Sequence, residues 1–219
     1  MGDRWATFDC YGTLVDWSGG IRAELEKLFG TEQADRLLVR YHDLEPEIQA
    51  TQPGASYREV LTLALEWLAK EEGLTLPEGE TSALARSLPS WPVFGDVPAA
   101  LAEVRDRGWK LGILSNTDRD LIDASMVAIG IAFQNVIVAS EIGSYKPAKR
   151  HWEVFRKQTA TNDVKHVHVA QSLYHDIEPA SELGILSIWV NRLGEPADGR
   201  PRKTLSSLTG LADALDEIV

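Results

Sequence analysis

Asp9 follows the apolar run Trp5-Ala6-Thr7-Phe8, and Ser115-Asn116 follows Leu111–Leu114. A carboxylate placed like Asp9 can attack an electrophilic centre and form an ester intermediate. Ser115-Asn116 offers a hydroxyl and an amide, an anion-binding corner that could hold a substrate carboxylate or orient Asp9. Gly12 lets the chain turn sharply after Asp9, and Thr13 adds a hydroxyl and a backbone N–H to that loop. Lys146 stands before Pro147, which biases it to extended backbone. Asp176 follows the run His166–Ala170. Taken singly, each has a plainer reading. Asp9 could be an Asx-turn or cap residue, Ser115-Asn116 the cap of a helix starting near Asp118, Lys146 a solvated lysine, and Asp176 the N-cap of the helix from Ile177.

The elements that must position these residues are legible from periodicity. Apolar runs at Trp5–Phe8, Lys110–Leu114, Asn135–Val138, Val167–Ala170 and Leu186–Val190 are bounded by turn or cap residues, as strands buried on both faces are. Helix-spaced residues lie between them, among them Val97, Leu101 and Val104. Strands alternating with helices predict an α/β fold with a parallel, doubly wound sheet, whose ligands bind beyond the carboxyl ends of the strands. Residues 17–92 differ. Ile21, Leu25 and Leu28, then Leu37, Tyr41, Leu44 and Ile48, then Val60, Leu61, Ala64, Leu65 and Leu68, all recur at helical spacing. The expectation is a helical insertion over 17–92 after the first strand, with a core made of 1–16 and 93–219.

Composition narrows the function. The 219 residues carry a formal charge of −11, which repels phosphate backbones and anionic lipid, so neither nucleic acid nor a membrane is an expected partner. A small anionic substrate would need a local positive site. Cys10 is the single cysteine, which fits a reducing compartment; with neither a secretory leader nor an apolar run of about 18 residues, the expected location is the cytoplasm. No His/Cys cluster has metal-ligand spacing. His168, alternating with Val167 and Val169, reads as a packed strand residue, while His175 beside Asp176 is open to a role.

Phe8-Asp9-Cys10-Tyr11-Gly12-Thr13, Ser115-Asn116, Lys146-Pro147 and Asp176, in that order, resemble the four motifs of the haloacid dehalogenase superfamily over essentially the whole chain, with 17–92 in the place of its cap. The resemblance implies a Rossmann-like core and Asp9 as nucleophile. It also implies Lys146 as the cation beside Asp9, Thr13 and Asp176 as catalytic partners, and Ser115 with Asn116 as the anion corner. Phosphatases of that superfamily have a second aspartate where this chain has Tyr11, and it protonates a departing alkoxide. Halide leaves without a proton, and the dehalogenase branch has an aromatic there. Ala170-Gln171 replaces the phosphatases' Gly-Asp pair, which removes a magnesium ligand. No cofactor is therefore expected, beyond a weak residual Mg2+ site.

In the cap, Arg40 followed by Leu44-Glu45 resembles the arginine that dehalogenases send into the site, where a guanidinium would attract a carboxylate or departing halide. Tyr41 would lie near the pocket. Gln171, Leu173 and Trp152 stand where the best-known dehalogenases have serine, asparagine and tyrosine, so Gln171 and Trp152 become candidate substrate contacts. The resemblance thus implies hydrolysis of the carbon–halogen bond of short 2-haloacids through an aspartyl ester. A Mg2+-dependent phosphatase, a hydrolase of another activated small acid and a silent binding module are the alternatives. A homodimer is left open.

Overall fold

The computed structural model describes residues 3–160 and 165–219. The apolar runs form β1 (Arg4–Phe8), β2 (Trp109–Ser115), β3 (Asn135–Val138), β4 (His166–Ala170) and β5 (Leu186–Val190), joined by a short β6 (Lys203–Leu205) with no apolar run of its own. They make one sheet in the order β3-β2-β1-β4-β5-β6, and every neighbouring pair is parallel. The connections from β1 run outward through β2 and β3, then return to β4 on its other side. That reversal opens a crevice at the carboxyl ends of β1 and β4. Helix α5 (Val97–Asp106) leads into β2, and α6 (Arg119–Ile129), α7 (Ala139–Ile142), α8 (Arg150–Thr159), α9 (Glu178–Glu182) and α10 (Leu211–Ile218) follow the second and later strands, numbered after four helices of the insertion. Ala6, Phe8, Leu111, Ile113, Val167, Val169, Ile188 and Val190 are buried together on one face of the sheet, while Trp5 and Leu114 are buried in a second cluster with Trp152 and Phe155, so both faces are covered.

Between β1 and β2 lie α1 (Trp17–Phe29), α2 (Thr31–Thr51), α3 (Tyr57–Glu71) and α4 (Ala83–Ser87). Each buries the stripe that its spacing predicts. In α2 these are Leu37, Tyr41, Leu44 and Ile48, joined by the polar Glu45 and Gln49. Pro46 lies inside α2 and supplies no N–H to the carbonyl four residues back. The two linkers that carry the insertion run side by side. The Asp16 N–H donates to the Pro92 carbonyl at 2.8 Å, and the Phe94 N–H to the Leu14 carbonyl at 3.0 Å.

Further bonds tie the insertion to the sheet. Helix α3 begins with a capping box of Ser56 and Glu59. Its next two N–H groups, of Tyr57 and Arg58, donate to the Asp118 carboxylate at 2.9 and 3.0 Å. Asp118 does stand at the N-cap position of α6, but its side chain makes no capping bond there; it caps the helix opposite instead. No helix among the described residues is long and apolar enough to cross a membrane.

Candidate active site

Asp9 leaves the end of β1 almost fully enclosed, with 7% exposure. Its Oδ2 accepts from the Thr13 hydroxyl at 2.9 Å, and Thr13 Oγ1 accepts from the Gln171 N–H at 3.0 Å. The turn that folds Thr13 back passes through Gly12 at φ 90°, where a Cβ would also stand 3.2 Å from Gln171 Oε1. A glycine is therefore required there for both conformation and space.

Lys146 Nζ sits between the two acids. It donates to Asp9 Oδ1 at 2.9 Å, to Asp176 Oδ1 at 2.7 Å and to the Leu114 carbonyl at 2.8 Å. Asn116 fixes the lysine's backbone. Its Oδ1 accepts from the Lys146 N–H at 2.6 Å, and its Nδ2 donates to the Lys146 carbonyl at 3.0 Å. Burial alone would depress the ammonium, but Asp176 and Asp9 reverse that and hold Lys146 above its ordinary value. Asp9 lies above the ordinary carboxylate range because burial outweighs Lys146, and the Asp176 charge adds to the rise. Asp176 is held below that range: burial works against it, but Lys146 and a hydrogen bond from His168 prevail.

His168 was expected only to pack. Its Nε2 lies 2.9 Å from Asp176 Oδ1 and its Nδ1 2.9 Å from Thr7 Oγ1, which in turn lies 2.7 Å from His166 Nε2. A carboxylate can only accept, so Nε2 carries the proton, Nδ1 accepts from Thr7, and Thr7 accepts from His166. Burial lowers His166 to about 3, which keeps it neutral and completes this directed chain. Alternation along β4 could not have found it, since both faces of a central strand are buried. Asp176 Oδ2 remains buried without a partner, and so does the Ser115 hydroxyl. His151 Nε2, 3.1 Å from the Ser115 carbonyl, braces that corner from below.

These groups open into a cleft of about 460 Å3 lined also by Tyr11, Gln171, His175 and, from the cap, Trp17, His42, Glu45 and Gln49. Tyr11 is a wall rather than an acid. Its ring stacks on Tyr57, its hydroxyl lies 3.0 Å from Ser125 Oγ, and burial pushes it far above the ordinary phenol value. Arg192, two residues past the end of β5 at Val190, is a guanidinium that lines the cleft. It lies over Phe94, donates to the Thr13 carbonyl at 3.0 Å and pairs with Asp96 at 3.0 Å. The strand-end rule that selected Asp9 and Ser115 would have nominated it.

Three expected contacts lie elsewhere. Arg40 does not enter the cleft; its Nε donates to Glu71 on α3 at 2.9 Å, with Asp43 and Glu47 nearby, and its side chain is 32% exposed. The reason is helical phase. Five residues separate Arg40 from Glu45, which rotates it roughly 140° around α2 from the face that lines the cleft. Trp152 is a core residue. Helix α8 buries it beside Trp5 and Phe155, and its ring meets His168 edge-on at 5.3 Å, so it stands behind Asp176 rather than before it. Tyr41 is fully buried inside the cap, 5.9 Å from Trp17, one layer short of the cleft.

A divalent cation does not fit this donor set. Lys146 engages Oδ1 of both Asp9 and Asp176, Tyr11 and Gln171 supply no further anionic oxygen, and among the described residues no group of three His, Cys, Asp or Glu is placed to hold an ion that prefers several oxygen ligands.

The chain is similar in sequence to the (S)-2-haloacid dehalogenase of Pseudomonas sp. strain YL, 27% identical with 85% of this chain and 82% of that one covered. It is also similar to the phosphoserine phosphatase of Thermus thermophilus, 28% identical over 77% of this chain and 68% of that one. Its fold matches the L-2-haloacid dehalogenase of Xanthobacter autotrophicus with chloropropionic acid covalently bound, at a TM-score of 0.85 and 18% identity, covering 99% of this chain and 100% of that one. The haloacid dehalogenase-like hydrolase family matches residues 4–183, and the chain belongs to that family.

Proposed function

We propose that the chain is a 2-haloacid dehalogenase that works by a covalent aspartyl ester, without a metal, in the cytoplasm. The observation that carries this is the combination at the end of β1. Asp9 is held by Lys146 and Thr13 in a buried position at the cleft, while Tyr11, standing where a phosphatase acid would be, has its hydroxyl turned to Ser125. The relatives named as haloacid dehalogenases support the reading.

The substrate is a small anion, its carboxylate held by the unpartnered Ser115 hydroxyl and attracted by Arg192. Asp9 attacks the halogen-bearing carbon from behind and the carbon–halogen bond breaks. Water then adds to the Asp9 carboxyl carbon, hydrogen-bonded by the free Asp176 Oδ2. A carboxylate held so low is a weak base, so Asp176 orients the water more than it deprotonates it. Lys146 stabilises the oxyanion that develops on Asp9. The 2-hydroxy acid leaves with inverted configuration, and Asp9 is regenerated.

Halide release measured with and without chelator, followed by turnover in heavy-oxygen water, tests this. The expected result is chelator-insensitive release with label in the peptide containing Asp9. Phosphate-ester hydrolysis that requires added Mg2+, with no halide release, would replace it with the phosphatase reading.

A further inference from the structure

With Tyr11 turned away and Arg40 on the outer surface, the cap still brings a carboxyl to the cleft. Glu45 projects from α2 into the wall shared with Asp9, and is 6% exposed. Its Oε1 accepts from Gln49 Nε2 at 2.5 Å, and Gln49 Oε1 accepts from Asn116 at 3.2 Å, so a continuous bridge runs from the anion corner to this carboxyl. Tyr57 stands in the same wall, its hydroxyl accepting from the Trp17 indole N–H at 2.9 Å.

We propose that Glu45 is a catalytic hydrogen-bond donor, whose neutral carboxyl stabilises the halide expelled from the carbon that Asp9 attacks. The inference rests on the dehalogenase reading and adds to it the class of leaving group the cleft can release.

Burial raises Glu45 to about 7 and the Asp9 charge adds to that, against the hydrogen bonds of Tyr57 and Gln49. The titratable neighbours do not compete. Tyr41 on its own helix, Tyr57 on α3 and Tyr145 beside Lys146 are all pushed up by burial and stay neutral. Burial lowers His42 on α2 below its ordinary value, and lowers His175 across the cleft to about 4. The formal charges that share the cleft are Asp9, Asp176 and Lys146 below, with Asp16, Arg192 and Glu195 around them. An ionised Glu45 would add a negative charge opposite an anionic substrate; a neutral one supplies a donor.

The step balances. An Asp9 oxygen forms the new bond to carbon, and the halogen leaves as halide with the bonding pair; hydrogen halides are far stronger acids than this carboxyl, so Glu45 keeps its proton and only hydrogen-bonds the departing anion. Hydrolysis of the ester by one water regenerates the Asp9 carboxylate and the hydroxy acid, and releases one proton to solvent. The benefit grows with leaving-group basicity, so it is smallest for bromide and largest for fluoride.

The test compares bromo-, chloro- and fluoroacetate with the wild-type enzyme, E45Q and E45A. E45Q keeps shape and a weaker N–H donor, while E45A removes the donor. Losing one donor aimed at developing charge costs about 100-fold in kcat. The expected loss in kcat is therefore about 100-fold for fluoroacetate in E45A and no more than about threefold for bromoacetate, with E45Q intermediate. Infrared difference spectra should show a neutral carboxyl band in the wild type at pH 6, lost as pH rises through 7 and absent from E45Q. Equal losses for all three halides, a rise in KM alone, or a Glu45 already ionised at pH 6 overturns the inference and leaves the dehalogenase standing. A wild type that releases halide from none of the three removes both.

Discussion

Replacing Lys146 with Met removes one ammonium from between two buried acids, and the consequence can be worked through. The substitution keeps volume and leaves Asp9 Oδ1, Asp176 Oδ1 and the Leu114 carbonyl without their shared donor. Breaking a buried pair from one side costs about 3–5 kcal/mol. For a chain of this size that lowers the melting temperature by about 2–4 °C per kcal/mol, hence by roughly 10 °C or more. The sign with pH identifies the cause. In the wild type Asp176 is held below its ordinary value, so its contribution is present above the unfolded value near 3.8 and is lost as pH falls through the folded one. Without Lys146, two like charges and burial push the acids up, so the folded variant keeps a proton that the unfolded chain releases. Its stability then falls as pH rises, by up to about 1.4 kcal/mol per pH unit for one proton. Urea denaturation at pH 5 and pH 8 reads this directly. The variant should be closest to wild type at pH 5 and furthest at pH 8, with halide release abolished at both. A deficit that is the same at both pH values, or below about 1 kcal/mol throughout, refutes the argument that Lys146 is held there by the two charges.

Arg40→Ala should leave halide release within about twofold and shift the melting temperature by no more than about 2 °C, because its partners are exposed surface acids; a loss of kcat/KM on the scale of 100-fold would place the guanidinium in the working cleft after all. Since Asp9 attacks only when ionised and is raised above the ordinary 3.8, the acid limb of a kcat/KM profile should have its midpoint above 3.8, falling tenfold per pH unit below it. A profile flat down to pH 4 contradicts that. Asp9→Asn, checked by mass to exclude conversion back to the acid, should show no multiple turnover.

Asp9 and Ser115 were legible from the strand-end rule, where a single direction of projection exists, whereas Thr13, Lys146 and Asp176 stand further along their loops and were legible only through the resemblance of the four motifs. The cap residues were harder. The pattern Arg40-x-x-x-Leu44-Glu45 selected the right helix and the wrong face of it, because which stripe of α2 turns inward is settled by α1 and α3 rather than by spacing alone. Tyr41 and Trp152 failed for a related reason: apolar bulk at helical spacing identifies burial, and burial inside a helix pair or behind a sheet looks the same in sequence as burial in a cleft. His168 and Thr7 were missed because a central strand has no polar side to give its donors away. β6, three residues long and apolar only at Leu205, had no periodicity to display.

The paired linkers at Asp16–Pro92 and Leu14–Phe94 have a consequence for inheritance. Everything between those two backbone bonds enters and leaves at one point, so an insertion of another length or shape could be spliced in without changing the neighbour of a single strand. The sheet and the lid above it can therefore diverge on separate schedules, one conserving how a bond is attacked while the other explores which molecules are admitted.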